Sequence, residues 1–254
     1  MKIVVCIKHV PDLQSERRLE DGRLVRGEED VLNELDENAV EAAVGLAEEH
    51  DGEVIALTMG PEDAEDGVRR ALQMGVERGV VVTDEGLAGA DVVTTARTLA
   101  AAIERIGEVD LVITGMASLD ALTSMLPGAL AAALGVPALT LAHEVAVEDS
   151  ASVSITRTVG TAREQLRAPL PALVSVTDQA NEPRYPNFAA MRAAKKKPVE
   201  VWDLGELGIA PQAREVLAVS RTSQRPARQA GIIRTDAGQA GRELAAWLVD
   251  NSLA

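Results

Sequence analysis

Four stretches of this chain carry residues whose types and placement suit gripping a ligand rather than transforming one. They are Cys6 to Leu13, Asn33 to Asp36, Met59-Gly60-Pro61 and Gly115 to Leu126. Each follows a strand pattern or opens a helical one. Side by side they offer backbone N–H groups for phosphate, small residues for close approach and a carboxylate for a sugar hydroxyl. Those are the requirements of an adenine nucleotide. Asn33 and Asp120 also have a plainer reading, as side chains that cap helix N-termini.

The residues for covalent or metal-assisted catalysis are not arranged for it. The sequence has no Walker loop, no Gly-x-Gly-x-x-Gly, no His/Cys metal spacing and no Gly-x-Ser-x-Gly elbow. The Ser-Gly-Gly-x-Asp-Ser turn of a PP-loop pyrophosphatase is missing too. Cys6, at a strand end, reads as a buried and inert thiol. His9, His50 and His143 are scattered, and only His9, just past the first strand, could face a ligand.

A different chemistry is written at residues 181–197. The only Tyr and the only Phe, Tyr185 and Phe188, stand three residues apart beside Pro183 and Pro186, followed by Lys195-Lys196-Lys197. Aromatic side chains on a basic, proline-bounded loop are what a protein-docking anchor looks like.

The elements that must position these residues alternate. Ile3 to Ile7, Glu53 to Thr58, Val80 to Val82 and Leu111 to Thr114 are apolar runs of the buried parallel-strand kind. Helical patterns fall between them: 35–49, a stretch opening at Pro61 and ending near Gly75, 91–106, and a last one closing at Gly135-Val136-Pro137. This alternation predicts an α/β fold, a doubly wound, mostly parallel sheet of the Rossmann-like, adenine-nucleotide-binding kind. Residues 138–158 read as an antiparallel hairpin, and Pro171 to Val176 as one more buried strand. The expected organisation is a nucleotide-binding domain over 1–197, including the loop 181–197, and an extended C-terminal arm over 198–254 with a helix near 239–250.

Composition bounds the function classes. The chain has 254 residues with a formal charge of −15, which argues against a nucleic-acid partner. The charge is uneven: residues 1–183 hold 14 Lys/Arg against 33 Asp/Glu, whereas 184–242 hold 11 against 5. No run of about 20 apolar residues suggests a membrane span. A first strand starting at the N-terminus and a single cysteine fit a cytoplasmic setting. The acidic, Arg-rich balance suits a GC-rich or a salt-adapted source equally well. All four aromatics fall after residue 184.

Several of these segments together resemble the β subunit of electron transfer flavoprotein, the FixA/ETF-β family. The similarity runs through Ile7-Lys8-His9-Val10-Pro11-Asp12, through Leu32 to Asp36 with Ala39 to Ala42, and through Arg70 to Gly75. It continues in Asp110 to Gly115 and Leu170-Pro171-Ala172. The most specific block is Asn181-Glu182-Pro183-Arg184-Tyr185-Pro186 through Ala194 to Lys197. It covers about residues 1–210, and the tail is similar to the longer arms of FixA-like members.

The resemblance implies a heterodimer whose α subunit holds the redox-active FAD, with AMP in this subunit. It implies docking by acyl-CoA and other flavin dehydrogenases and delivery of electrons to a membrane quinone oxidoreductase. Cys6, Asn33, Leu35, Asp36, Met59, Thr95, Gly115, Asp120, Thr123, Ser124 and Leu126 would line the nucleotide. Pro11, Asp12 and Leu13 would approach the flavin, and Tyr185, Phe188 and Met191 would meet the dehydrogenase. Trp202 and Trp247 are expected to be buried against the α subunit. The loop after Gly115 departs from the family's Gln-Ala-x-Asp and small-residue pattern, with Met116 and Met125-Leu126 in their place. Two alternatives keep the fold and change the role: a bifurcating form with a second FAD and an NAD site, and a stand-alone adenine-nucleotide-binding signalling protein.

Overall fold

The computed structural model describes residues 1–254 except 16, 17, 21, 22, 28, 149, 150, 210–219, 224, 225, 232, 234 and 254. The chain forms two compact units, Met1–Ser220 and Arg221–Ala254.

The first unit opens with β1 (Lys2–Cys6), then two small hairpin pairs, β2 (His9–Pro11) with β5 (Asp30–Leu32) and β3 (Leu19–Glu20) with β4 (Arg23–Leu24). Next come α1 (Glu34–His50), β6 (Glu53–Met59), α2 (Glu65–Gln73), β7 (Arg78–Val82), α3 (Val92–Ile106), β8 (Leu111–Gly115) and α4 (Leu126–Leu134). The chain continues through β9 (Ala138–Ala142), β10 (Glu144–Glu148), β11 (Ser152–Val159), β12 (Ala162–Pro169) and β13 (Ala172–Val176). It then forms α5 (Phe188–Ala194) and β14 (Val199–Trp202). The second unit contains α6 (Ala240–Asp250), no described residue of which is buried.

Seven strands form an all-parallel sheet in the order β14-β7-β6-β1-β8-β13-β9. Its β-branched runs are buried on both faces, as parallel sheets require. One face takes α1 and α2. Ala39, Val40, Ala43, Val44 and Leu46 of α1 pack with Val68, Ala71 and Leu72 of α2 against Ile3, Val5 and Val54. The other face takes α3 and α4, whose Leu99, Ile103 and Leu130 pack against Val4, Ile55 and Val112. Aliphatic side chains and alanines fill most of both layers.

Three local outcomes differ from the sequence pattern. Residues 138–142 are not half of a hairpin, because β9 lies parallel to β13 at the sheet edge. The antiparallel piece is a separate three-stranded sheet, β10-β11-β12, inserted between β9 and β13. Its third strand, Ala-Arg-Glu-Gln-Leu-Arg-Ala-Pro, is mostly exposed and carries little hydrophobic signal. The third difference is β14, at the point where the arm would begin: it hydrogen-bonds along β7 as the other edge of the sheet. Trp202 therefore does not wait for another chain. It is 6% exposed, packed in the α3/α4 layer, with the Arg105 guanidinium 4.6 Å from its ring centre.

Candidate functional site

The chain builds outward from β1 to β6 and β7, then returns through α3 to place β8 on the other side of β1. Strand order thus reverses between β1 and β8, and the crevice beyond their carboxyl ends is where doubly wound sheets bind ligands. Cys6, Ile7 and Lys8 leave β1 at this point, and Gly115, Met116 and Ala117 leave β8.

The crevice is held together by side chains from α1. Asn33, fully buried, stands at the N-cap position of α1 but does not cap it. Its amide donates to the Ala117 carbonyl at 2.9 Å and its side-chain oxygen accepts from the Leu119 N–H at 3.0 Å. The loop after β8 is thereby pinned to the start of the helix. Asp36, also buried, accepts the Lys8 N–H at 2.8 Å. Burial pushes its carboxyl up to about 7. Hydrogen bonds from Asn33 and from the Lys8 and Gly115 N–H groups, with the Lys8 charge, pull the other way. Gly115 is required by this closeness, since a Cβ there would stand 2.4 Å from an Asp36 oxygen and 2.7 Å from the Leu35 carbonyl.

At the mouth, Asp120 meets two cations. Lys8 Nζ lies 2.9 Å from its carboxylate and Arg26 pairs with the same oxygen; the Asp120 side chain is 2% exposed. Burial raises the carboxyl, but the Lys8 charge and the hydrogen bonds from Arg26, Lys8 and Ser118 outweigh it and hold the group at about 2. Asp120 is therefore a paired anion and not a helix cap. Lys8 and Arg26 are the site residues that the sequence reading did not single out. The placement of Lys8 two positions past a buried strand was a usable signal; Arg26 offered none, lying in a polar stretch of short hairpins.

The remaining predicted residues fall into groups. Cys6, Met59 and Leu126 belong to the α3/α4 layer at the crevice end. The Cys6 thiol is pushed up to about 12 by burial, with the Asp36 charge adding to it, so it is neutral. Thr95 is half-buried in the first turn of α3, whose Asp91 cap accepts the Thr94 N–H at 2.8 Å. Thr123 and Ser124 are exposed, between Leu122 and Met125, which are 64% and 53% exposed. Pro11 is buried in the β2–β5 pair, while Leu13, just past it, is about half exposed.

Tyr185, Phe188 and Met191 lie apart from the crevice, at α5. Tyr185 and Phe188 are each 88% exposed, whereas Met191 is half-buried. The backbone beneath them is fixed. Asn181 and Asn38 exchange side-chain to backbone bonds of 2.9 and 3.0 Å. Arg184 forks onto Glu41 and Glu48 of α1 with four bonds of 2.7–3.1 Å, and the Asn187 side chain caps α5.

A doubly wound α/β fold with a polar crevice at its switch point defines a class of protein in which ligands bind beyond the carboxyl ends of the strands. Comparison with known proteins narrows that class. The electron transfer flavoprotein domain matches residues 21–207. The electron transfer flavoprotein subunit beta of Mycobacterium tuberculosis is 38% identical, over 97% of each chain. The caffeyl-CoA reductase-Etf complex subunit CarD of Acetobacterium woodii is 33% identical, over 98% of this chain and 97% of its own. Protein FixA of Azorhizobium caulinodans is 37% identical, over 82% of this chain and 77% of its own. The chain belongs to the electron transfer flavoprotein β-subunit family, and its role is in electron transfer.

Proposed function

We propose that the chain is the β half of a heterodimeric electron carrier. An α subunit would hold the FAD, AMP would sit in the β1/β8 crevice, and acyl-CoA and other flavin dehydrogenases would dock at α5. FAD, when bound in the heterodimer, would supply the redox chemistry, and a membrane quinone oxidoreductase would be the acceptor. This chain's residues orient and hold.

The observation that carries this reading is the pair of aromatics, Tyr185 and Phe188, each 88% exposed on a backbone clamped to α1. Large apolar side chains on an immobilised frame lose little entropy on docking, which is how a binding anchor works. A shallow depression lined by Phe188, Ala189, Arg192, Ala193 and Lys196 continues the surface and adds cations.

The crevice suits a nucleotide monophosphate. Half-buried Met59 and Leu126 offer apolar contact for a base, while Thr95, Thr123 and Ser124 offer hydroxyls. Lys8 and Arg26, still 38% and 29% exposed at their side chains, place positive charge at the mouth. Asn33 and Asp36 act as walls, their polar atoms turned toward the loop and strand ends. Pro11, Asp12 and Leu13 would form the edge presented to the α subunit.

The test is co-expression with the α subunit, nucleotide extraction, and electron delivery measured for Phe188→Ala. One FAD and one AMP per heterodimer, with delivery reduced tenfold or more from at least one dehydrogenase (about the cost of one lost anchor), would support the proposal. Unchanged delivery from every dehydrogenase would refute the docking role. A second reading is favoured by the A. woodii relative, whose name places it in a reductase–Etf complex. In that reading the crevice holds a second FAD, and two FAD per heterodimer would be recovered.

A further inference from the structure

Outside the crevice and the α5 surface, one cluster of potential ligands stands out among the described residues. His9 on β2, Asp30 on β5 and Asp63 in the turn after β6 bring a ligand atom each to within 4.8 Å of one another. They are 21 and 33 positions apart in sequence, so no spacing motif announces them. The antiparallel pairing of Pro11 with Asp30 and His9 with Leu32 brings the first two together.

Two of the three donors are orphans. Among the described residues, only three buried side-chain nitrogen or oxygen atoms lack a hydrogen-bond partner: Thr58 Oγ1, His9 Nδ1 and Asp63 Oδ1. Native structures leave few such atoms, and each calls for a partner. Here a ring nitrogen and a carboxylate oxygen, both shut off from solvent, belong to two residues of the same cluster. Neither has a hydrogen-bond partner, and a ligand atom of each residue lies within 4.8 Å of the others, a spread that a shared ion can bridge. The Gly27 backbone passes close to this carboxylate, since a Cβ there would stand 3.1 Å from Asp63 Oδ2.

We propose that His9, Asp30 and Asp63 bind a first-row divalent cation of the zinc type. One imidazole and two carboxylates form a neutral set with a dication. A nitrogen donor favours zinc over magnesium, which prefers all-oxygen, octahedral surroundings. Zinc bonds of roughly 2.0–2.2 Å in a tetrahedron would set donor atoms about 3.4 Å apart, reached from the present spread by small side-chain rotations. Three protein ligands leave a fourth position for water. The ion would staple the β2–β5 pair, and with it the Pro11–Leu13 edge, to the end of β6. This inference does not depend on the proposed electron-carrier role.

The experiment uses the full-length, untagged chain stripped of metal. Zinc is titrated calorimetrically, and cobalt is added as a visible-absorption probe. The expected result is one zinc per chain at micromolar Kd or tighter, not displaced by millimolar magnesium, with tetrahedral cobalt bands. His9→Gln and Asp63→Asn should each weaken binding by about tenfold or more and abolish the bands. Asp30→Asn, at the third ligand, serves if either variant fails a circular-dichroism check of folding. No stoichiometric zinc binding by the wild-type chain, or zinc binding unaffected by these substitutions, would overturn the assignment.

Discussion

The Lys8 ammonium lies 2.9 Å from the Asp120 carboxylate and so ties the end of β1 to the loop beyond β8 across the mouth of the crevice. Arg26 closes on the same oxygen from a third segment. Together with Asn33 beneath, this pair sets the shape of a loop whose Leu122 and Ser124 have φ of 52° and 51°, a conformation that glycine adopts more readily.

Replacing Asp120 by Asn should therefore destabilise the chain by about 1–2 kcal/mol at pH 7, a figure reduced from that of a fully buried pair because both cations are partly exposed. The pH dependence has a fixed sign. With the carboxyl held at about 2, its contribution is fully present above pH 4 and is lost as pH falls through 2. Urea unfolding of wild type and variant at pH 7, 4 and 2 measures the difference. A gap as large at pH 2 as at pH 7 would contradict the ion pair.

Asp36 should behave in the opposite sense. Its folded carboxyl titrates at about 7 because it is buried, whereas in the unfolded chain it ionises near the usual 3.8. The unfolded state thus releases this proton first, and the residue's contribution to stability falls as pH rises from 4 to 7. Asp36→Asn should lose that dependence, so the variant gains on wild type between pH 5 and pH 8. The Lys8 amide, which donates to Asp36, should show an NMR shift with a midpoint near 7. A midpoint near 4 would mean that the site is wet.

How far the sequence carried depended on how local the signal was. Runs such as Ile3 to Ile7 and Leu111 to Thr114, separated by helical periods, were enough for the doubly wound sheet, because burial on both faces leaves a continuous apolar run. Strand β12 was silent, since its exposed Arg-Glu-Gln-Leu-Arg has the composition of a loop. The crevice segments were legible as strand ends and helix starts. What Asn33 and Asp120 do there was not, because each is partnered by residues more than 80 positions away. Trp202 misled for a related reason: prolines on either side suggested an arm, while the parallel register of β14 on β7 decided its burial.

Arg184 should matter more for order than for stability. Its fork onto Glu41 and Glu48 is one-third exposed, so Arg184→Lys, which keeps charge but not the planar fork, should cost about 1 kcal/mol or less. The segment it clamps should loosen, with amide exchange across 182–188 speeding roughly several-fold. Hydrogen-exchange mass spectrometry of the full chain reads this directly. Unchanged exchange would mean that the Asn38–Asn181 bonds suffice alone.

Trp202 provides the sharpest test of the edge strand. Its ring lies in the apolar layer that also holds Val80, Val82, Leu87 and Leu204, its Nε1–H donates to Glu200 at 3.2 Å, and Arg105 stacks on its face. Removing it leaves a cavity that β14, paired on one side only, is poorly placed to close. Trp202→Ala should therefore cost about 3–5 kcal/mol, and Trp202→Phe distinctly less. In a Trp247→Phe background, the remaining tryptophan should emit in the blue and resist acrylamide without any partner subunit present. Trp247, half exposed within its own unit, should be red-shifted and readily quenched in the converse Trp202→Phe variant. A Trp202 emission that is quenched until the α subunit is added would place β14 off the sheet in the free chain, and the seventh strand would then belong to the complex alone.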